Sequence, residues 1–368
     1  MQHKFGALDL IRAGLQDLDR ARTLFDELHN DGIDDDRMRL LLATLEKACD
    51  PDIALSNLVD IIKVMQSQGK DFTNIIADEN SFVRLITVLG VSDEMGKLMR
   101  FRPELVEAAA NDACESHLYN HEQRRAHVLK SVGADPNDHT MPTASLPLAE
   151  AATALRKTYR KQLAAIMAQD ATANDPIEIQ PRISTELSDL ADAALEGALA
   201  IARHEVDGSG HVRFAIIGMG KLGAQELNYV SDVDLIYVVE PADADTNGMT
   251  LSRVGTKMAT TLQRVCQSVI MGVAEPTLWQ IDGGLRPEGK DGPLVRRLES
   301  HEAYYEQWAE NWEFQALLKA RPVAGDSDLG QAYMSMTRPF VWTASKRDNF
   351  VYDCQQMRKR VEDLFPTR

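Results

Sequence analysis

Residues 213–240, RFAIIGMGKLGAQELNYVSDVDLIYVVE, constrain this chain more than any other stretch. Phe214 to Ile217 is a short apolar run with β-branched residues, which reads as a buried strand ending at Gly218. Glycines at 218, 220 and 223 then let the backbone turn tightly into a short helix. Val233 to Val239 reads as the next strand, and it opens with two acids, Asp232 and Asp234. Side chains two apart on a strand share a face, so these carboxylates lie side by side at the strand's mouth. Adjacent carboxylates repel unless a cation sits between them, and the common use of such a pair is to chelate Mg²⁺ for phosphoryl chemistry. Asp232 and Asp234 are therefore candidate metal ligands.

Two other chemistries compete for the glycines. GMGKLG satisfies GxGxxG after a strand, and Glu240 lies about where a ribose-binding acid belongs in a dinucleotide fold. Such a fold gives no reason for its second strand to open with a same-face acid pair, and the further βα units it needs do not follow. A Walker A loop fails, since Leu222 follows Lys221 and the first glycine is too close. What fits is a nucleotidyltransferase site: a glycine turn, a short helix, a D-x-D strand and a third acid, Asp282, closing a later strand read from Thr277 to Ile281. Backbone N–H groups at Gly218 and Gly220 would cradle phosphate oxygens. Asp232, Asp234 and Asp282 would hold two metal ions about the reacting phosphorus. Lys221 and Arg286 would neutralise non-bridging oxygens and Ser231 would contact a phosphate, although each basic residue equally suits a surface salt bridge.

The rest of the chain reads as helix. Residues 1–130 form a helical N-terminal region, with stripes at Leu8, Ile11, Leu15, Leu18 and at Met38, Leu41, Leu42, Leu45. The acids Asp34 to Asp36 suit a helix cap rather than an EF-hand, and Pro103 suits a first turn. His117 and His121, one turn apart, offer a metal pair, but without HExxH a solvated face is the better reading. Residues 131–204 are loop-linked helices, with loops at 131–146 and 171–184. Arg156, Lys157, Arg160 and Lys161 form a basic stretch, usually a solvated face, and Leu187 to Ala202 is amphipathic. Residues 205–300 hold the catalytic core, including a helix over 251–273. Residues 301–368 read as helix throughout, with Tyr304, Trp308, Trp312, Phe314 and Leu317 as its apolar stripe.

Charge and composition narrow the function classes. The formal net charge of −16 repels a phosphate backbone, so no nucleic-acid partner is expected. No apolar run approaches the roughly 18 residues of a spanning helix, so no membrane is expected and the protein reads as cytoplasmic. Four scattered cysteines, Cys49, Cys114, Cys266 and Cys354, make no CxxC pair and suit a reducing compartment.

Three long, ordered motifs carry a family resemblance: GMGKLGAQELNYVSDVDLIY, IDGGLRPEGKDGPLV and YYEQWAENWEFQALLKARPVAGD. Together they resemble glutamine synthetase adenylyltransferase, a bifunctional family that adds AMP to a tyrosine of glutamine synthetase and removes it. The resemblance implies an α+β fold, mostly helical, with a polymerase β-like core on a small mixed sheet, and Asp232, Asp234 and Asp282 match the family's acidic positions. Where the family often carries an extra arginine in DxRLRP, this chain has DGGLRP, while Arg286 keeps its match. Family members have two nucleotidyltransferase halves, and GMGK with ELN resembles the N-terminal, AMP-removing one. The chain stops at RVEDLFPTR, where the family continues, so an incomplete half is expected, lacking the C-terminal half. The implied reaction is Mg²⁺-assisted phosphorolysis of tyrosyl-AMP by phosphate to ADP. The implied partners are glutamine synthetase, phosphate, ADP, ATP and a PII-type signalling protein. Adenylyl transfer from ATP, and an inactive fragment that only binds partners, are the alternatives.

Overall fold

The computed structural model describes residues 5–70, 72, 78–110 and 120–364, so His117 and Cys114 lie outside the described residues. The chain divides into two compact units, Met1–Leu118 with Arg160–Ile183, and Tyr119–Tyr159 with Ser184–Arg368.

The first unit is helical. Its main helices are α1 (Ala7–Arg12), α2 (Leu18–Asn30), α3 (Asp35–Leu45), α4 (Pro51–Ser67), α5 (Glu79–Val91), α6 (Asp93–Phe101) and α7 (Pro103–Ala110). Five of them start on a side chain that accepts a first-turn backbone N–H: Asp17, Asp34, Asp50, Asp78 and Ser92. The acidic cluster thus caps α3 through Asp34, and Pro103 opens α7. Leu28, Leu45, Leu55, Val59, Leu85 and Met99 form the core, joined by Ala164 and Met167. The stripe at Leu8 and Ile11 is corrected. α1 is too short to sustain a face, so Leu10 and Leu15 turn inward while Leu8 and Ile11 stay exposed.

The second unit carries α8 (His121–Ser131), part of α9 (Leu148–Ala171) and most of α10 (Pro176–Glu205), then the sheet. The expected loop at 171–184 is largely helix. Asp175 accepts the backbone N–H groups of Ile177 and Glu178, so α10 starts at Pro176 and carries Pro181 within it. Arg156 and Arg160 are buried, not a solvated face. The guanidinium of Arg156 donates to the carbonyls of Val265, Ser268 and Glu275 at 2.7–3.2 Å, which offsets the cost of burying its charge.

The sheet is small and mixed, as expected of the α+β class. β1 (Val212–Gly218) pairs antiparallel with β2 (Val233–Pro241) on one side and with β5 (Arg321–Gly325) on the other. β2 pairs in parallel with two short strands, β3 (Ile281–Asp282) and β4 (Val295–Arg296). Between β1 and β2 lies α11 (Gly220–Gly223), and after β2 comes α12 (Gly248–Gln267). Ala215, Ile217, Ile236 and Val238 share one face and pack with Tyr305, Phe314, Leu317, Leu329 and Tyr333. Those partners belong to α13 (Leu298–Gln307), α14 (Asn311–Leu317) and α15 (Ser327–Ala344), and α16 (Phe350–Leu364) follows. The opposite face, with Phe214, Tyr237 and Val239, meets α12.

Four expectations about this unit change. The third strand shrinks to two residues because the preceding backbone bonds elsewhere, the Leu278 N–H donating to the Cys266 carbonyl at 2.8 Å. The helix expected over 251–273 ends at Gln267, and Val269 is exposed. The region after His301 is not all helix, since RPVAG forms β5, too short for any periodicity to reveal. In its apolar stripe Tyr305 is buried and Trp308 is exposed, while Phe314 and Leu317 are buried as read.

Candidate active site

The glycine turn leaves β1 at Gly218 and passes through Met219, whose N–H donates to the Asp234 carbonyl at 2.9 Å. That bond ties the turn to the mouth of β2. Gly220 has φ +54°, and a Cβ there would lie 2.4 Å from Asp234 Oδ2. Only glycine lets the turn bend this way and leave space for the carboxylate. At Gly223 a Cβ would lie 1.9 Å from the Lys319 carbonyl oxygen and 2.4 Å from that of Gly218, so the end of the turn is pressed against the chain entering β5.

The parallel pairing of β2 with β3 sets Asp234 directly opposite Asp282, and Asp232 precedes β2 by one residue. Asp234 is half-buried, and its carboxyl is pushed up to about 6, first by burial and then by the negative charges of Asp232 and Asp282, with Lys221 opposing. Asp232, two residues before it on the same strand mouth, and Asp282, 48 residues later in the sequence, both bear on Asp234. Asp282 Oδ1 accepts the Gly284 N–H at 2.7 Å, which fixes its rotamer. An all-oxygen, net-negative donor set of this kind suits a hard divalent cation.

The other candidates fall in two groups. Lys221 and Ser231 meet at the exposed mouth, Nζ to Oγ at 3.4 Å, beside the acids. Arg286 is in the loop after Asp282, but its guanidinium donates to the carbonyls of Gly283, Lys290 and Gly292 at 2.6–3.2 Å. Its visible work is bracing the loop that carries Asp282.

The structure adds residues the pattern did not single out. Arg321, on β5, donates to the carbonyls of Leu222 and Gly223 at 3.0 and 3.2 Å and bidentately to Asp192 on α10 at 2.5 and 3.1 Å. Gln225, held at φ +56°, donates its amide to Asp189 at 3.1 Å. The Leu227 N–H donates to Ser188 Oγ at 3.4 Å. α10 and β5 therefore clamp the whole segment between glycine turn and acid pair. The signal available in sequence was the LLKARPVAGD motif itself, together with two acids three apart on one face of a long amphipathic helix.

The model of the glutamate-ammonia ligase adenylyltransferase family matches residues 82–336, which include every element of this site. The chain belongs to that family. Among family members, a Bifidobacterium longum protein (strain DJO10A) named bifunctional glutamine synthetase adenylyltransferase/adenylyl-removing enzyme is 74% identical over 363 residues, covering 99% of this chain and 34% of its own length. Proteins of the same name from Cutibacterium acnes and Streptomyces avermitilis are 39% and 38% identical, over 98% and 97% of this chain. The chain spans about a third of the length of these curated relatives. Among the described residues, no helix is long and apolar enough to cross a membrane.

Proposed function

We propose that this chain carries an adenylyl-removing centre: a nucleotidyltransferase site that takes AMP from a tyrosine of glutamine synthetase by phosphorolysis, releasing ADP. The observation that supports it most is the pairing of Asp234 opposite Asp282, with Asp232 two residues before, against a glycine turn in which a side chain at 220 would displace Asp234. Asp232, Asp234 and Asp282 would hold Mg²⁺, which supplies charge neutralisation for the phosphates and for the departing phenolate, whose ordinary pKa is about 10.

The protein's own residues do the positioning. Lys221 and Ser231, together at the open mouth, bind phosphate oxygens, and Gly220 keeps the approach free of side chain. Inorganic phosphate is already anionic, so its oxygen attacks the α-phosphorus without a strong base. The bond from phosphorus to the tyrosine oxygen breaks, the phenolate takes a proton from solvent, and ADP leaves. In the opposite sense the tyrosine hydroxyl must lose a proton, and Asp282 is the acceptor at hand. The chemistry rests on placement and charge, with no covalent intermediate on the protein. A PII-type regulator is inferred from family resemblance, and a cytoplasmic setting from the apolar pattern and cysteine usage of the sequence.

The test is to incubate the chain with adenylylated glutamine synthetase and Mg²⁺, with and without inorganic phosphate, and to separate the nucleotides. ADP that forms only with phosphate is the expected result. Pyrophosphate released from ATP on unmodified glutamine synthetase, with no ADP from the adenylylated form, would assign adenylyl transfer instead.

A further inference from the structure

Behind the glycine turn lies a second group of ligating side chains that the reaction does not use. We propose that His121, Asp189 and Asp192 form a site for a transition-metal dication of the zinc type, and that its occupancy competes with Arg321 and so acts on the glycine turn. This inference does not depend on the direction or identity of the reaction.

Asp189 and Asp192 are three apart on α10 and so share a face, and His121 opens α8 beside them. One donor atom from each lies within 4.8 Å of the others, with His121 Nε2 3.6 Å from Asp192 Oδ2. Tetrahedral zinc with bonds of about 2.0–2.1 Å sets neighbouring donor atoms roughly 3.3 Å apart, so a modest contraction completes three of four positions. Asp192 and His121 also line a cavity of about 350 Å³, bounded by Glu122, Arg125, His139, Glu196 and the β5 end, with space for water as a fourth ligand.

Charge points the same way. Arg321 is the guanidinium paired directly with Asp192, and Asp189 is acted on by His121, Arg321 and Arg124. A dication bound through neutral imidazole would add positive charge beside the two carboxylates. An imidazole with two carboxylates prefers zinc-type ions, whereas the all-oxygen triad at Asp232, Asp234 and Asp282 prefers Mg²⁺.

The coupling follows from a shared atom. Asp192 Oδ2, which faces His121, is the oxygen that accepts from Arg321 Nη1 at 2.5 Å. Arg321 also holds the Leu222 and Gly223 carbonyls, and Asp189 holds the amide of Gln225. An ion drawing both carboxylates toward His121 loosens two of the ties that fix the turn.

The experiment titrates the chain with Co²⁺, and with Zn²⁺ by calorimetry, in excess Mg²⁺ that occupies the oxygen triad. Expected are visible Co²⁺ absorption bands at one ion per chain, affinity at least tenfold weaker in His121→Gln and in Asp189→Asn, and tighter binding in Arg321→Gln. If the Arg321→Gln chain does not fold, Arg321→Lys, which cannot make the bidentate contact, takes its place. Absence of Co²⁺ bands, or parent-like affinity in both His121→Gln and Asp189→Asn, overturns the site. Unchanged affinity in the Arg321 variant overturns the competition.

Discussion

Two carboxylate clusters are tied to one glycine turn, and they are neutralised differently. At Asp232, Asp234 and Asp282 acid faces acid, and the one opposing charge acting on Asp234 is Lys221, a side chain at the open mouth. At Asp189 and Asp192 the protein supplies its own cation, Arg321, locked bidentately on a fully buried carboxylate. Asp234 in the first cluster is held protonated more readily than an ordinary carboxyl, while Asp192 in the second is paired by a guanidinium that also holds the turn. The same residue type thus stands as a candidate site in one place and as part of a clamp in the other, and what separates them is the charge set opposite.

The largest effect expected from breaking this contrast is on the reaction. Asp234→Asn should lower the ADP-forming rate by at least about a hundredfold, the scale of losing a preorganised electrostatic contact. Asp189→Asn should change that rate only a few-fold, measured in the same assay. Equal losses would erase the distinction between site and clamp.

Next comes the clamp itself. Arg321→Gln leaves Asp192 buried without its guanidinium and strips two carbonyls of their donor, so unfolding free energy should fall by about 2–3 kcal/mol. Chemical denaturation reads it, and hydrogen exchange should rise first at residues 222–227.

A smaller, pH-dependent effect separates the clusters further. The folded carboxyl of Asp234 is raised to about 6 from an ordinary value near 3.8, so the folded state binds more protons between those values. Stability of the metal-free chain should therefore decline as pH rises from 4 to 6, and Mg²⁺ should remove the decline. His121 is also raised, but from an ordinary value of 6.5, so its contribution is full below 6.5 and is lost only as pH climbs through its higher folded value. Thermal melts across pH 4–9, with Asp234→Asn and His121→Gln compared, should assign the lower window to one and the upper to the other. The His121 effect should be the smallest of all, well under 1 kcal/mol, because the ring is 43% exposed.

The candidate site was more legible than its supports. Strand, glycines and D-x-D are contiguous, and their spacing alone gives the same-face acids. The pairing of Asp234 with Asp282 is long-range, yet a short run ending in an acid hinted at it. Arg321 and Asp192 were hidden because they are 129 residues apart, and each looks ordinary in its own segment. β5 was hidden because five residues with a proline and a glycine carry no period. The basic stretch misled for a related reason: charge in a sequence does not disclose the three carbonyls that let Arg156 be buried.

The central claim is that the triad at the glycine turn, and not the cluster behind it, takes the hard dication. Mn²⁺ binding in the presence of ADP, followed by electron paramagnetic resonance, tests it without depending on turnover. Parent chain and His121→Gln should bind Mn²⁺ alike, and Asp234→Asn should lose it. Retention of Mn²⁺ by Asp234→Asn, with loss in His121→Gln, would contradict the account.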